Sequence, residues 1–88
     1  MMEEARGKIR KYILENFMFT EDETELSNED SFLEKGIIDS TGMLELIAFI
    51  GDGFQITLED DELIPDNLDN VNRVAAFIQR KKRGPSSP

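Results

Sequence analysis

An apolar run near the middle of the chain most constrains how this protein folds. Residues 43–50 contain one charged side chain, Glu45, and are otherwise apolar. Apolar residues at this density cover more than one face of a helix, so the run predicts either the central helix of a bundle or a helix with an exposed apolar edge. Its predicted buried stripe, at helical spacing, consists of Leu44, Ile47 and either Ile50 or Phe54.

Two further segments each have one apolar face at helical spacing. The first face consists of Ala5, Ile9, Tyr12, Ile13 and Phe17. The second consists of Val71, Val74, Ala75 and Ile78, with Asp69 or Asn70 as the predicted N-cap. Residues 59–64 predict one helical turn that Pro65 ends. Residues 54–58 alternate between apolar and polar, but no second strand is available for pairing, so no strand is predicted.

Between the first and central helices lies an acidic, polar connection of about twenty residues, which is longer than most loops. Apolar side chains at intervals are predicted to attach it to the core: Leu26, Phe32, Leu33, Ile37 and Ile38. Gly36 predicts a turn with positive φ. We therefore predict an all-α, four-helix up-and-down bundle with three main helices and a short third one. It spans residues 1–82, and residues 83–88 form a disordered tail.

The composition excludes several classes of function. The 88 residues fit one small domain, and they include neither cysteine nor histidine. Disulfides, zinc–thiolate sites and thiol catalysis are therefore excluded. The N-terminal residues do not resemble a secretory signal, and no segment approaches the roughly 20 apolar residues of a membrane span. We expect a cytoplasmic protein that does not associate with membranes.

The charge of this protein is unevenly distributed. The net charge is −9, and between Tyr12 and Asn72 there are seventeen acidic residues and one basic residue, Lys35. Such a surface repels nucleic acids and attracts proteins with basic patches. The acids could also serve only solubility. Their position around Ser40 favours binding to partner proteins.

Ser40 is the hydroxyl around which this acidic region is arranged. It follows Asp39 and precedes the apolar run, so we predict that Ser40 is the N-cap of the central helix. Ser40 could also be a site of covalent attachment, because helix N-termini are exposed and favour phosphate groups. From the residues alone, both interpretations remain open.

Calcium binding is the first alternative for the acidic residues. The pair Asp52 and Gly53 suggests an EF-hand loop with the glycine at the sixth position. That alignment places Ala48 and Ile50 where carboxylates are required. The calcium hypothesis therefore fails, and no metal site is predicted.

Two catalytic alternatives also fail. Paired carboxylates, such as Asp39 with Glu34 or Glu45, would need the walls of a cleft, which a domain of this size does not provide. A nucleophilic Ser40 would need a base, and the chain has no histidine. Lys35 lies in an acidic segment that favours its charged form, so it is unsuited to that role. We do not expect an enzyme.

An ordered set of motifs in this chain resembles the acyl and peptidyl carrier proteins over nearly its whole length, residues 5–82. The motifs are Gly36-Ile37-Ile38-Asp39-Ser40, Leu44-Glu45-Leu46, Phe54-Gln55-Ile56, the acidic turn Glu59–Leu63, and Leu68-Asp69-Asn70-Val71. An Asp-Ser pair alone is a weak signal, whereas this set at these spacings is specific.

The resemblance implies a monomeric carrier in which Ser40 bears 4′-phosphopantetheine, which a phosphopantetheinyl transferase takes from coenzyme A. Asp39 would help the transferase and its Mg²⁺ to engage. The thiol of the arm would hold an acyl or aminoacyl group as a thioester. An activating ligase would load this group, and acyltransferases or synthases of fatty acid or secondary metabolite biosynthesis would use it.

The resemblance also implies which residues meet partner enzymes, namely Thr41, Leu44, Glu45, Ala48 and Asp52. The chain departs from the fatty-acid-synthesis pattern at several positions: Thr41 replaces a leucine, Gly51-Asp52-Gly53 replaces a run of glutamates, and Gln55 replaces a glycine. Thr41-Gly42 is instead similar to stand-alone carriers that serve dedicated ligases in specialised or polysaccharide-linked pathways.

Overall fold

A computed structural model describes residues 2–83, and helices account for most of them. The four α-helices are α1 (Met2–Ile13), α2 (Ser40–Phe54), α3 (Pro65–Leu68) and α4 (Val71–Arg83). Shorter turns are a π-helical turn at Leu14–Met18, which extends α1, and 3₁₀ turns at Glu23–Glu25 and Asp60–Glu62. No strand occurs in residues 2–83, and the predicted all-α bundle is confirmed. Helix α4 includes Arg83, and the rest of the predicted tail lies outside the described residues.

The core lies between α1, α2 and α4, which bury their apolar faces against one another. Helix α2 contributes Leu46, Ile50 and Phe54, spaced four residues apart. The prediction that Leu44 is buried was wrong, since this side chain is 66% exposed. Leu44 lies two residues before Leu46, and two residues turn a helix by about 200°, so the two side chains point to opposite faces.

The long connection after α1 is attached to the core by three side chains, Leu26, Phe32 and Ile38, all of which are buried. The Phe32 N–H also donates to the backbone oxygen of Asp69, at 2.8 Å. Gly36 has the predicted positive φ, at 70°. Leu33 was wrongly predicted as a core residue, since its side chain is 44% exposed. Only its backbone is held, by a hydrogen bond to the Asp69 carboxylate.

The ends of the helices show which capping predictions hold. Asn70 caps α4, because its side-chain oxygen accepts a hydrogen bond from the Arg73 N–H at 2.7 Å. Pro65 does more than end the preceding turn, since it begins α3, where its missing N–H is tolerated. Gln55 follows the last residue of α2 as its C-cap and has the left-handed conformation, with φ of 56°. No helix in residues 2–83 is long and apolar enough to cross a bilayer.

Candidate functional site

Helix α2 begins with an Asp-Ser pair whose two residues have separate roles. Asp39 is the N-cap: its Oδ1 accepts a hydrogen bond of 2.7 Å from the Gly42 N–H, and its backbone oxygen accepts one of 2.8 Å from the Met43 N–H. Ser40 is the first helical residue. The prediction that Ser40 is the N-cap was therefore wrong, because the longer carboxylate side chain one residue earlier takes that position.

The Ser40 side chain is consequently exposed and unused by the fold. Its hydroxyl forms no hydrogen bond to any residue within 2–83. The backbone N–H groups at the first two positions of a helix have no partner within the helix, and the helix dipole is positive there. This environment suits a serine oxygen that bears a phosphoryl group.

In the described part of the chain, two charged residues close to Ser40 in sequence, Lys35 and Asp39, form no hydrogen bond with its hydroxyl. The nearest amine in sequence, Lys35, forms an ion pair with Asp30, at 3.5 Å between Nζ and Oδ1. The described residues include no cluster of three or more carboxylates able to hold a metal ion. Asp39 is exposed beside Ser40, and its second carboxylate oxygen accepts no hydrogen bond within residues 2–83.

The first turn of α2 packs tightly against the end of α1 through Gly42, which is buried. A Cβ atom on this residue would lie 2.8 Å from Phe17 Cε1, 3.1 Å from Ile38 Cγ2 and 3.2 Å from Asp39 Oδ1. Sequence reasoning did not identify Gly42 as a positioning residue. The available signal was a glycine in the first turn of an otherwise apolar helix.

The residues that the family resemblance assigns to partner contacts are brought together by the structure. All are exposed on α2 at steps of one, three or four residues. Together with Ser40 we call this set the α2 exposed face: Ser40, Thr41, Leu44, Glu45, Ala48 and Asp52. Two carboxylates and one large apolar side chain therefore lie on the helix that begins with Ser40. Contact of these residues with partners stays a prediction.

Behind this face, Tyr12 connects α1 to α2. Its ring stacks on Phe49 with centroids 4.0 Å apart, and its hydroxyl donates a hydrogen bond of 3.3 Å to the backbone oxygen of Glu45. Burial raises the pKa of the Tyr12 phenol, and the negative charge of Glu45 raises it further. These contacts support α2 from the core side.

A shallow apolar groove of about 220 Å³ runs from Ser40 towards α3. Its walls are formed by Met43 and Ile47 from α2 and by Ile64 and Leu68 on the opposite side. Pockets that enclose drug-sized ligands usually measure about 300–1,000 Å³. The groove is therefore suited to contact with a small group and not to enclosure of a long one.

A comparison with curated proteins shows similarity over most of the chain. The chain is 32% identical over 75 residues to the D-alanyl carrier protein of Streptococcus mutans serotype c (strain ATCC 700610 / UA159). The aligned region covers 85% of this chain and 91% of the relative. No protein-family model matches the chain. The similarity thus extends over most of both chains, and a stretch of 75 residues within a chain of 88 necessarily includes Asp39 and Ser40.

Proposed function

This chain belongs to the carrier protein family, and from that premise we propose that it is an aminoacyl carrier protein with a 4′-phosphopantetheine arm on Ser40. When bound, the arm supplies a terminal thiol on which an aminoacyl group is held as a thioester. The chain itself contributes the attachment oxygen, the helix that presents it and the surface that partners bind. We propose no catalytic role for it.

The observation that carries this proposal is the division of roles between Asp39 and Ser40. A serine that only capped the helix would direct its oxygen at a backbone N–H, as Asp39 Oδ1 does at 2.7 Å from the Gly42 nitrogen. Because Asp39 provides the cap, the Ser40 hydroxyl is left exposed at the positive end of a 15-residue helix. This geometry fits an attached phosphodiester and leaves room for a transferase.

An amino acid is the favoured cargo for two reasons. The relative from Streptococcus mutans is a D-alanyl carrier protein by name. The interior of this bundle is also filled with large side chains, among them Phe32 and Phe77, both of which are fully buried. Together with the shallow groove of about 220 Å³ beside Ser40, this packing favours a short or polar cargo over a long acyl chain.

The partners follow from this chemistry. A phosphopantetheinyl transferase would attach the arm, with Asp39 near its Mg²⁺. A ligase that activates the amino acid would load it, and an acyltransferase or synthase would accept it. The α2 exposed face, which includes Leu44, Glu45 and Asp52, would bind surfaces on these enzymes that are basic and have apolar centres. Such contacts weaken as salt is added.

Intact-mass measurement tests the attachment. The chain is incubated with coenzyme A, Mg²⁺ and a transferase of broad specificity, and we expect a gain of one phosphopantetheine. Ser40→Ala should show no gain, whereas Ser27→Ala, which removes another exposed serine, should be modified like the wild type. No gain in the wild-type chain would instead indicate an unmodified acidic interaction module.

A loading assay tests the cargo. The modified protein is incubated with ATP and a ligase that activates D-alanine, and we expect a gain of one alanyl group that hydroxylamine removes. L-alanine and a medium-chain fatty acid, each offered with a ligase that activates it, serve as comparisons. Preferential loading of the fatty acid would contradict the aminoacyl assignment while leaving the attachment at Ser40 intact.

A further inference from the structure

Phe19 is the most exposed large apolar side chain in the described part of the protein, at 82%. It lies directly after the π-helical turn that extends α1, at the start of the acidic connection. A phenylalanine in this position gains almost nothing from burial within its own chain. Exposed aromatic side chains are typical of sites that bind other proteins.

The backbone of Phe19 adds an independent observation. Its φ of 54° and ψ of 45° are left-handed, a conformation that is unfavourable for residues with a Cβ atom. Glycine would end the helical turn here at lower cost. The chain therefore retains a large side chain at a position where neither burial nor backbone conformation favours it. Such retained strain is common at functional sites.

The segment on both sides of Phe19 is ordered by local hydrogen bonds. The backbone N–H groups of Phe19 and Thr20 both donate to the Leu14 oxygen. Asp22 is the N-cap of the next 3₁₀ turn, Glu23–Glu25, and its carboxylate accepts hydrogen bonds from the backbone and the side chain of Thr24. The phenyl ring is thus presented from a preorganised backbone, which lowers the entropy lost on binding.

The charges near Phe19 indicate the kind of surface that it fits. Within six positions of Phe19 in the sequence there is no basic residue, and the exposed acidic residues are Glu15, Glu21, Asp22, Glu23 and Glu25. Within the described residues, the single ion pair of the segment 20–25 joins Glu23 to Arg10, at 3.4 Å. An exposed aromatic side chain in an acidic segment is complementary to an apolar pocket bordered by basic residues.

Phe19 also follows closely, in the sequence, a residue that packs against the helix bearing Ser40. Phe17, two residues earlier, packs against Gly42 in the first turn of α2. The turn that extends α1 therefore packs against the first turn of α2, and Phe19 lies two residues after that contact. This contact is made by the extension of α1, whereas the groove next to Ser40 is lined by residues of α3.

We propose that Phe19 is a second contact point for the ligase that loads the Ser40 arm, and that its ring enters an apolar pocket bordered by basic residues on that enzyme. This inference rests on the proposed carrier function. It extends the partner surface from α2 to the end of α1, so that the ligase holds the carrier on two sides of Ser40.

The test compares two substitutions at the two left-handed non-glycine residues of the described chain, Phe19 and Gln55. Phe19→Gly relieves the backbone and removes the ring, whereas Gln55→Gly relieves the same conformation at the end of α2. Both should melt at the wild-type temperature or up to about 5 °C higher. We expect kcat/KM for loading by a D-alanine-activating ligase to fall at least about tenfold in Phe19→Gly and to stay within about twofold of wild type in Gln55→Gly.

Phe19→Asn serves as a second variant, because asparagine tolerates the left-handed region and leaves less freedom to the loop than glycine. It should lose loading like Phe19→Gly, and the loss should lie mainly in KM. Loading of both Phe19 variants at the wild-type rate would overturn the proposal, as would equal losses in Phe19→Gly and Gln55→Gly.

Transferase-catalysed attachment separates this proposal from the carrier function itself. If the wild-type chain gains the arm and is loaded but the Phe19 variants are loaded equally well, the inference about Phe19 is wrong and the carrier function stands. If the wild-type chain gains no arm, the carrier function fails and the inference fails with it. If the modified wild-type chain is not loaded by this ligase, the ligase contact is overturned.

Discussion

The ring of Phe17 packs directly against Gly42, so that a Cβ atom on residue 42 would lie only 2.8 Å from Phe17 Cε1. Phe17 itself has little room to move, because its ring also meets Tyr12 edge-on, with centroids 5.7 Å apart. This contact fixes how closely the end of α1 approaches the first turn of α2. The position of Ser40 therefore depends on residue 42 being a glycine.

Gly42→Ala is predicted to destabilise the protein, although alanine is the better helix former. Overpacking costs about 1–3 kcal/mol, whereas the helix preference of alanine over glycine contributes about 0.5–1 kcal/mol. We expect the free energy of unfolding in urea to fall by about 1–2 kcal/mol. Gly53→Ala is the matched control, since its Cβ would meet nothing closer than Phe49 Cε1 at 3.6 Å, and it should be stabilising. An increase in stability for both variants would contradict this account of the packing.

The two roles of Asp39 can be separated by two substitutions. Asp39→Ala removes the acceptor for the Gly42 N–H and should lower the free energy of unfolding by about 1 kcal/mol. Asp39→Asn keeps a capping oxygen and should be more stable than the alanine variant. Both remove the charge beside Ser40, so the rate of phosphopantetheine transfer should fall at least about tenfold in each, because the carboxylate is expected to act near Mg²⁺. Transfer to Asp39→Asn at the wild-type rate would show that the carboxylate acts only as a cap.

The three long helices could be predicted from the sequence because they follow from apolar spacing, whereas the short α3 begins at Pro65 and not in the predicted turn at residues 59–64. The faces of α1 and α4 repeat every three to four residues, and most of their buried residues were identified correctly, among them Ile9, Val71 and Val74. The predicted face of α4 did not include Phe77, which is also buried. Helix α2 could not be oriented in this way. Apolar residues surround it almost completely, so spacing alone did not distinguish buried Leu46 from exposed Leu44.

The start of α2 could be located from the sequence, but its geometry could not. Sequence reasoning placed Ser40 at the start of α2, but it did not show whether Ser40 or Asp39 provides the cap, since both residue types are good N-caps. The tight packing at Gly42 and the exposure of Phe19 depend on how α1 approaches α2. No local pattern records that distance, so only the three-dimensional structure shows it.

Asp69 is predicted to hold the long connection in place. Its carboxylate accepts hydrogen bonds from the Ser31 hydroxyl and from the Leu33 N–H, the latter at 3.1 Å. Asp69→Ala leaves these donors without their acceptor and should cost about 1–3 kcal/mol of stability. Amide exchange in residues 31–38 should accelerate more than exchange in α1. Asp66→Ala, at an exposed position in α3, is the control and should change stability by less than about 0.5 kcal/mol. Equal exchange rates in both variants would rule out this attachment.

Glu62 is predicted to make stability depend on pH in the acid range. Its pKa lies below the ordinary value of 4.5, first because its carboxylate accepts a hydrogen bond from the Glu59 N–H and second because Lys81 Nζ lies 3.0 Å away. A lowered pKa in the folded state means that this carboxylate stabilises the protein fully above pH 4.5, and that the contribution is lost as the pH falls through the lowered pKa.

The difference in unfolding free energy between wild type and Glu62→Gln should therefore be constant at neutral pH and shrink below pH 4.5. Lys81→Met should reduce this difference without abolishing it, because the Glu59 hydrogen bond remains. A difference that stayed constant down to pH 2 would contradict the assignment.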